Sequence, residues 1–197
     1  SVGGNFNSIR YSRLFAIGGV RIAGNDCEFR HNLVFSNAHG IRLEGDRGRI
    51  RENRIGFETN GGATIAFSGP GIEAVGEDNV VGDEFPDGGE GNQIVGAGGP
   101  GIRAAGGLAG IRGNWVGCAS NDGLYVYGGC GTGIEVSGGV SNALYRNFVV
   151  DSAGDGIVLS ICPAAEATEC RTGARPHDLT RANGGRGLVL HGSPRND

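Results

Sequence analysis

The chain contains no lysine and no methionine; all 17 of its strongly basic residues are arginines. Schiff-base chemistry, a lysine general base and the phosphate-binding lysine of a Walker loop are therefore excluded. No run of 18 apolar residues occurs, so no membrane-spanning helix is encoded. Charged residues make up only 19% of the chain and form no long block of one sign, which argues against wholesale disorder. The formal net charge of −4 lacks the basic footprint of a nucleic-acid binder. No Cys-x-x-Cys and no His-x-x-x-His spacing is present, so zinc has no recognisable ligand set.

What the chain has in excess is glycine: 41 of 197 residues, about three times the usual share. The glycines are periodic. A phrase Gly-(Ile/Val/Leu)-x-apolar starts at Gly19, Gly40, Gly71, Gly101, Gly133, Gly156 and Gly187, with spacings of 21, 31, 30, 32, 23 and 31 residues. A second phrase, an apolar residue and then Asn-x-(Ile/Val), places Asn32, Asn53, Asn114 and Asn147 at 13, 13, 13 and 14 residues after their glycines. Asn92 joins this set if about eight residues are inserted before it. The minimal unit is thus about 21 residues, and 39–62 match 100–123 at an offset of 61.

After every anchor glycine the +1 and +3 residues are apolar, an alternation that marks a short strand with one buried face. No segment shows a sustained 3.6-residue apolar period, so crossover helices are absent. Short parallel strands without helices are satisfied by coils stacked on one another. Seven coils at roughly 4.8 Å make a rod about 30 Å long. The asparagines have a structural task at a bend, where they tolerate a left-handed backbone and bond to the asparagine of the next coil.

With its Gly-Ile and Asn-x-Ile phrases, and with Asn79-Val80-Val81-Gly82, Gly91-Asn92-Gln93-Ile94 and Gly113-Asn114-Trp115-Val116-Gly117, the chain resembles the right-handed parallel β-helix proteins of the pectate-lyase-like superfamily. The likeness is nearest to their bacterial Asn/Gly-repeat members and covers residues 1–197 as one domain, read as a segment of a longer protein. The resemblance implies an all-β, single-stranded right-handed β-helix of about seven coils with loop insertions. It leaves function open, because the superfamily contains lyases, hydrolases, epimerases, phage spikes and inert adhesin shafts.

Stacking turns equivalent positions into outward columns. The +2 column reads Arg21, Arg42, Glu73, Arg103, Glu135 and is expected to form a ladder of ion pairs. A column 11 residues after the anchors reads Arg30, Arg51 and Arg112, with Tyr145 in the corresponding place. It stacks like charges without visible acidic partners, so it is either a solvated row or an anion site. The column after the asparagines reads Leu33, Arg54, Gln93, Trp115 and Phe148. Trp115, the chain's single tryptophan, points outward there, either to stack with Phe148 and Arg54 on a sugar ring or to lie under a loop bearing Tyr125 and Tyr127.

Cys118 and Cys130, and Cys162 and Cys170, stand at the bases of two excursions, as expected of two loop-closing disulfides in an oxidising compartment; Cys27 remains as a buried free thiol. Asp83, Asp87 and Glu90 belong to an acidic loop and are weak calcium candidates; no other cofactor is expected. No paired aspartates, polygalacturonase-type Asn-Thr-Asp phrase or pectate-lyase arginine motif occurs. Arg175-Pro176-His177-Asp178 is only faintly similar to the Asp-Pro-His motif of mannuronan epimerases. The leading expectation is a non-enzymatic extracellular, cell-surface or periplasmic module, structural or adhesive, with a polysaccharide or cell-surface glycan as partner. The alternatives are a lyase or epimerase acting on an acidic polysaccharide, and a subunit that stacks end to end into a fibre.

Overall fold

In a computed structural model, the described residues are 1–57, 64–83, 91–107, 110–121, 124–139, 142–162, 164–173 and 183–191. They form three parallel seven-stranded sheets and one two-stranded hairpin, with no α-helix among them. The first sheet holds the strands that follow the anchor glycines: Val20–Ile22, Ile41–Leu43, Ile72–Ala74, Ile102–Ala105, Ile134–Ser137, Ile157–Ser160 and Leu188–His191. The second holds Ser8–Arg10, Glu28–Arg30, Arg49–Arg51, Val80–Gly82, Gly110–Arg112, Ala143–Tyr145 and Glu166–Thr168. The third holds Arg13–Ala16, Leu33–Ser36, Arg54–Ile55, Gln93–Ile94, Trp115–Val116, Phe148–Val149 and Arg171–Thr172. Each circuit of the chain contributes one strand to each sheet, so the expected parallel β-helix is present with seven coils.

Alternation puts one file of side chains from each sheet into a common interior. Ile41, Ile72, Ile102, Ile134 and Ile157 stand in register on the first sheet and are each 0–1% exposed. They meet Phe29, Ile50, Val81, Ile111 and Leu144 of the second sheet and Val34, Ile55, Ile94, Val116 and Val149 of the third in one continuous core. Burial of each such side chain contributes roughly 1.5–3 kcal/mol. The anchor glycines are required by contact between coils. A Cβ on Gly40 would stand 2.3 Å from the carbonyl oxygen of Gly71, and one on Gly71 would stand 2.6 Å from that of Gly101 and 2.4 Å from Ile94 Cγ2. The recurrent Gly-Ile phrase is thus a backbone approach followed by a core residue.

The second phrase is a ladder of buried amides at the corner between the second and third sheets. Asn53 donates from Nδ2 to the Phe29 carbonyl, 2.9 Å, and to Asn92 Oδ1, 2.9 Å. Its Oδ1 accepts from the backbone N–H of Asn32, 2.9 Å, and from Asn32 Nδ2, 3.2 Å. Asn92 and Asn114 repeat the pattern toward Asn114 and Asn147. The ladder starts at Ser12, whose N–H donates to Asn32 Oδ1, and ends where Asn147 Nδ2 meets Cys170 Sγ at 3.7 Å. Asn92 takes its place despite the insertion before it.

One detail differs from expectation. The left-handed residue at this corner precedes the ladder position in six of the seven coils: Tyr11, His31, Glu52, Gly113, Arg146 and Glu169 have φ between 51° and 64°. The bend must turn the following side chain inward, and the asparagine itself then keeps a backbone that can join the next strand. The strain of non-glycine residues there, roughly 1–2 kcal/mol each, is offset by the amide bonds they aim.

Replacing Asn53 by Leu removes four hydrogen bonds and leaves the buried Asn32 N–H and one Asn32 amide hydrogen without these partners. Each orphaned group costs about 1–3 kcal/mol. Denaturant unfolding should show a loss of at least ~3 kcal/mol against ~0.5 kcal/mol for a surface substitution; a loss under ~1 kcal/mol would contradict this role.

Candidate functional site

The inward files are filled by apolar side chains, so the polar and aromatic side chains considered next stand on the outward files. On the third sheet one file reads Arg13, Leu33, Arg54, Gln93, Trp115, Phe148, Arg171, in register from coil to coil. It contains no acidic residue. Trp115 and Phe148 are half-buried neighbours with ring centroids 5.6 Å apart and planes tilted by 60°. The guanidinium of Arg54 stands 5.9 Å from the centre of the Phe57 ring.

The hairpin of Cys118–Asn121 and Leu124–Tyr127 leaves the coil directly after this sheet. It covers the neighbouring outward file, where Val95 packs with Phe57, Ala119 and Val126 in a small second cluster. Trp115 is thus left beside the hairpin, partly open. Tyr127 pairs with Cys118 across the hairpin. The Tyr125 side chain lies outside the described residues.

On the second sheet the arginine column exists, but with two corrections. Gly82 separates Arg51 from Arg112, because Val80–Gly82 is a strand of its own coil. The column also has acidic partners. Glu28, two positions back on the same face, is bonded to Arg10 and Arg51, and Glu52, at the corner, accepts from Arg30 Nε at 2.5 Å. These partners lie beside the column rather than within it, which is why column reading overlooked them. Arg112 has no carboxylate partner among the described residues, and Tyr145 donates to Glu169 Oε1, 3.2 Å.

The first-sheet column is the expected ion-pair ladder, with Arg42 to Glu73 at 3.0 Å and Arg103 to Glu135 at 3.2 Å. Glu44 adds links to Arg21, 2.5 Å, and Arg42, 2.9 Å. The hydrogen bond from Arg21 holds the Glu44 carboxyl below its usual range, and Arg47 does the same for Asp26. Burial opposes ionisation of Glu28, yet the bonds from Arg51 and Arg10 outweigh it and keep that carboxyl low as well.

At the amide-ladder corner of the first three coils an open cleft of about 390 Å³ is lined by Tyr11, Arg13, His31, Leu33, Glu52 and Arg54, with Ser12 and Asn32 at its back. Tyr11 stacks on His31, centroids 4.7 Å apart and planes 15° from parallel. Glu52 is held by both Arg30 and His31 Nε2, the latter at 2.7 Å. Sequence reasoning put Leu33 and Arg54 in one outward column and Asn32 in the ladder, and missed Tyr11, Arg13, His31 and Glu52. The first coil carries Ser12 where the next five carry asparagine, so its Tyr11 and Arg13 fell outside the repeat. With one carboxylate, itself engaged, the cleft can hold a ligand but lacks the acid–base pair of glycoside hydrolysis.

The cysteines are a further correction. All five are free thiols, and none is at disulfide distance from another. The Cys162 thiol lies 3.2–3.5 Å from the carbonyl oxygens of Ser160, Gly138 and Val136 at the corner after the first sheet, with one S–H to donate among them, whereas Cys170 sits at the foot of the amide ladder. The strand Glu166–Thr168 lies between them and spans roughly 10 Å, beyond the ~7 Å Cα reach of a disulfide. Cys130 lies in the central core, where burial pushes its thiol up to about 12; Cys118 is equally buried but starts the hairpin outside that core. The expectation of an oxidising compartment rested on these bridges and loses that support.

Of the calcium candidates, Asp87 and Glu90 lie outside the described residues, as do His177 and Asp178, and Asp83 is buried. Among the described residues no group of three or more His, Cys, Asp or Glu could hold a metal ion, and no helix is long and apolar enough to cross a membrane. No family model, no curated protein and no solved structure matches this chain.

The thiol assignment predicts that the unreduced protein, unfolded in denaturant, titrates five thiols per chain with a disulfide-exchange reagent. A count of one would restore the two bridges.

Proposed function

We propose that the chain is a non-enzymatic β-helix module of the pectate-lyase-like, Asn/Gly-repeat type, a rigid structural or adhesive element that presents its outer files to a glycan. The observation that carries this reading is the third-sheet file, in which Trp115 and Phe148 stand in register with three arginines and no acid. An aromatic face beside guanidinium donors suits a sugar ring, whose apolar face stacks while its hydroxyl or acidic groups accept hydrogen bonds. Rigidity supports the same reading: a platform held by the amide ladder keeps these side chains at fixed spacing, which reduces the ordering cost of binding an extended chain. Elsewhere the surface arginines are largely tied to carboxylates, as suits a shaft. A lyase or epimerase would need a base facing the sugar together with further carboxylates or a metal, and the corner cleft supplies a single engaged glutamate.

Because Trp115 is the only tryptophan, its fluorescence reports directly on this file. Titration with a panel of neutral and acidic polysaccharides should give a saturable change for at least one member. No new reducing ends and no unsaturated products should appear on prolonged incubation. Product formation would replace the reading with a depolymerising enzyme, and unchanged fluorescence throughout would remove the glycan from it.

A further inference from the structure

We propose that the corner of the first three coils is a binding site for an anionic saccharide, a sugar ring bearing one sulfate or carboxylate group. This rests on the glycan reading above but on different side chains. In these coils the outer faces of the second and third sheets bring together Arg10, Arg13, Arg30, Arg49, Arg51 and Arg54, against Glu28 and Glu52. Among the described residues of this corner six arginines stand with two glutamates, within a chain whose formal net charge is −4. The opposite side of the same coils is balanced, with Arg21, Arg42 and Arg47 matched by Asp26, Glu44 and Asp46. The positive charge is therefore concentrated where the cleft lies.

The cleft supplies the shape. Tyr11 is backed on one side by His31 and is 76% exposed, so it offers a ring face already held in place. Leu33 forms an apolar floor between Arg13 and Arg54, whose Cα atoms lie two strand spacings, about 10 Å, apart. Arg13 is exposed and has no carboxylate partner among the described residues. Glu52 does not repel an anion strongly, because Arg30 and His31 already hold it. A ring stacked on Tyr11 places its acidic substituent toward Arg13, with Arg54 on the far side of Leu33. A volume of about 390 Å³ suits one or two rings rather than a long polymer.

The same charge pattern disfavours nucleic acid. Duplex DNA carries a charge about every 1.7 Å, far denser than the single charge per ring that Arg13 and Arg54 are placed to meet. A saccharide with one charge per ring satisfies the corner and ends there.

The test is affinity electrophoresis of the full chain through gels containing dextran sulfate, polygalacturonate, uncharged dextran or poly(dT). Dextran sulfate or polygalacturonate should retard it, and the stronger of the two identifies the anion. Retardation should weaken as salt rises. It should fall at least tenfold in Arg13→Gln/Arg54→Gln and in Tyr11→Ala, whose melting temperatures stay near that of the parent, and persist in Trp115→Ala. Undiminished retardation of the arginine variant overturns the proposal. Equal retardation by uncharged dextran, or loss in Trp115→Ala alone, overturns the corner site while leaving the glycan reading in place. Poly(dT) acting as strongly as the better polysaccharide overturns the saccharide assignment. Free migration in every gel removes both readings.

Discussion

The buried amides of Asn32, Asn53, Asn92, Asn114 and Asn147 fix where every coil may turn. Each of these side chains is almost wholly excluded from solvent and must place both amide hydrogens and its oxygen on partners in adjacent coils. An amide left short there is costly in the low-dielectric interior. At the corner between the second and third sheets successive coils consequently superimpose at the asparagine, even where an insertion precedes it. The strands on either side inherit their register from it, and so do the core isoleucines. Excursions occur around this corner without breaking it. The hairpin leaves after the third sheet, and Asn92 rejoins the ladder after an insertion.

That constraint also shapes the surface. The left-handed residues that precede Ser12, Asn32 and Asn53 line up Tyr11, His31 and Glu52 along the corner at coil spacing. The first position of the third sheet follows at once and lines up Arg13, Leu33 and Arg54. The cleft is the space between these two files. Its stacked rings and its tied glutamate are products of coil spacing, since residues one strand apart on neighbouring coils are close enough to stack or to bridge. Most other surface charges are spent on each other through the same proximity.

Much of this was legible in the residues. The anchor glycines located all seven strands of the first sheet, because at six of them backbone contact with the neighbouring coil leaves no room for a Cβ. The asparagines located the third sheet, Trp115 and Phe148 included. What escaped detection depended on geometry between files. Glu28 and Glu52 reach the arginine column from an adjacent position, and the left-handed residue lies one place from the side chain it serves. Cysteines flanking a loop in sequence were read as neighbours, yet a strand stands between Cys162 and Cys170. The corner cleft is built partly from the first coil, where Ser12 replaces asparagine and hides the repeat.

Residue-resolved hydrogen exchange tests the central role of the ladder most directly. The account predicts that the backbone amides of Asn32, Asn53, Asn92 and Asn114, each bonded to the next asparagine's Oδ1, exchange only through global unfolding and share one opening free energy. Exchange of these amides at rates typical of local fraying, ahead of the first-sheet strands, would contradict it.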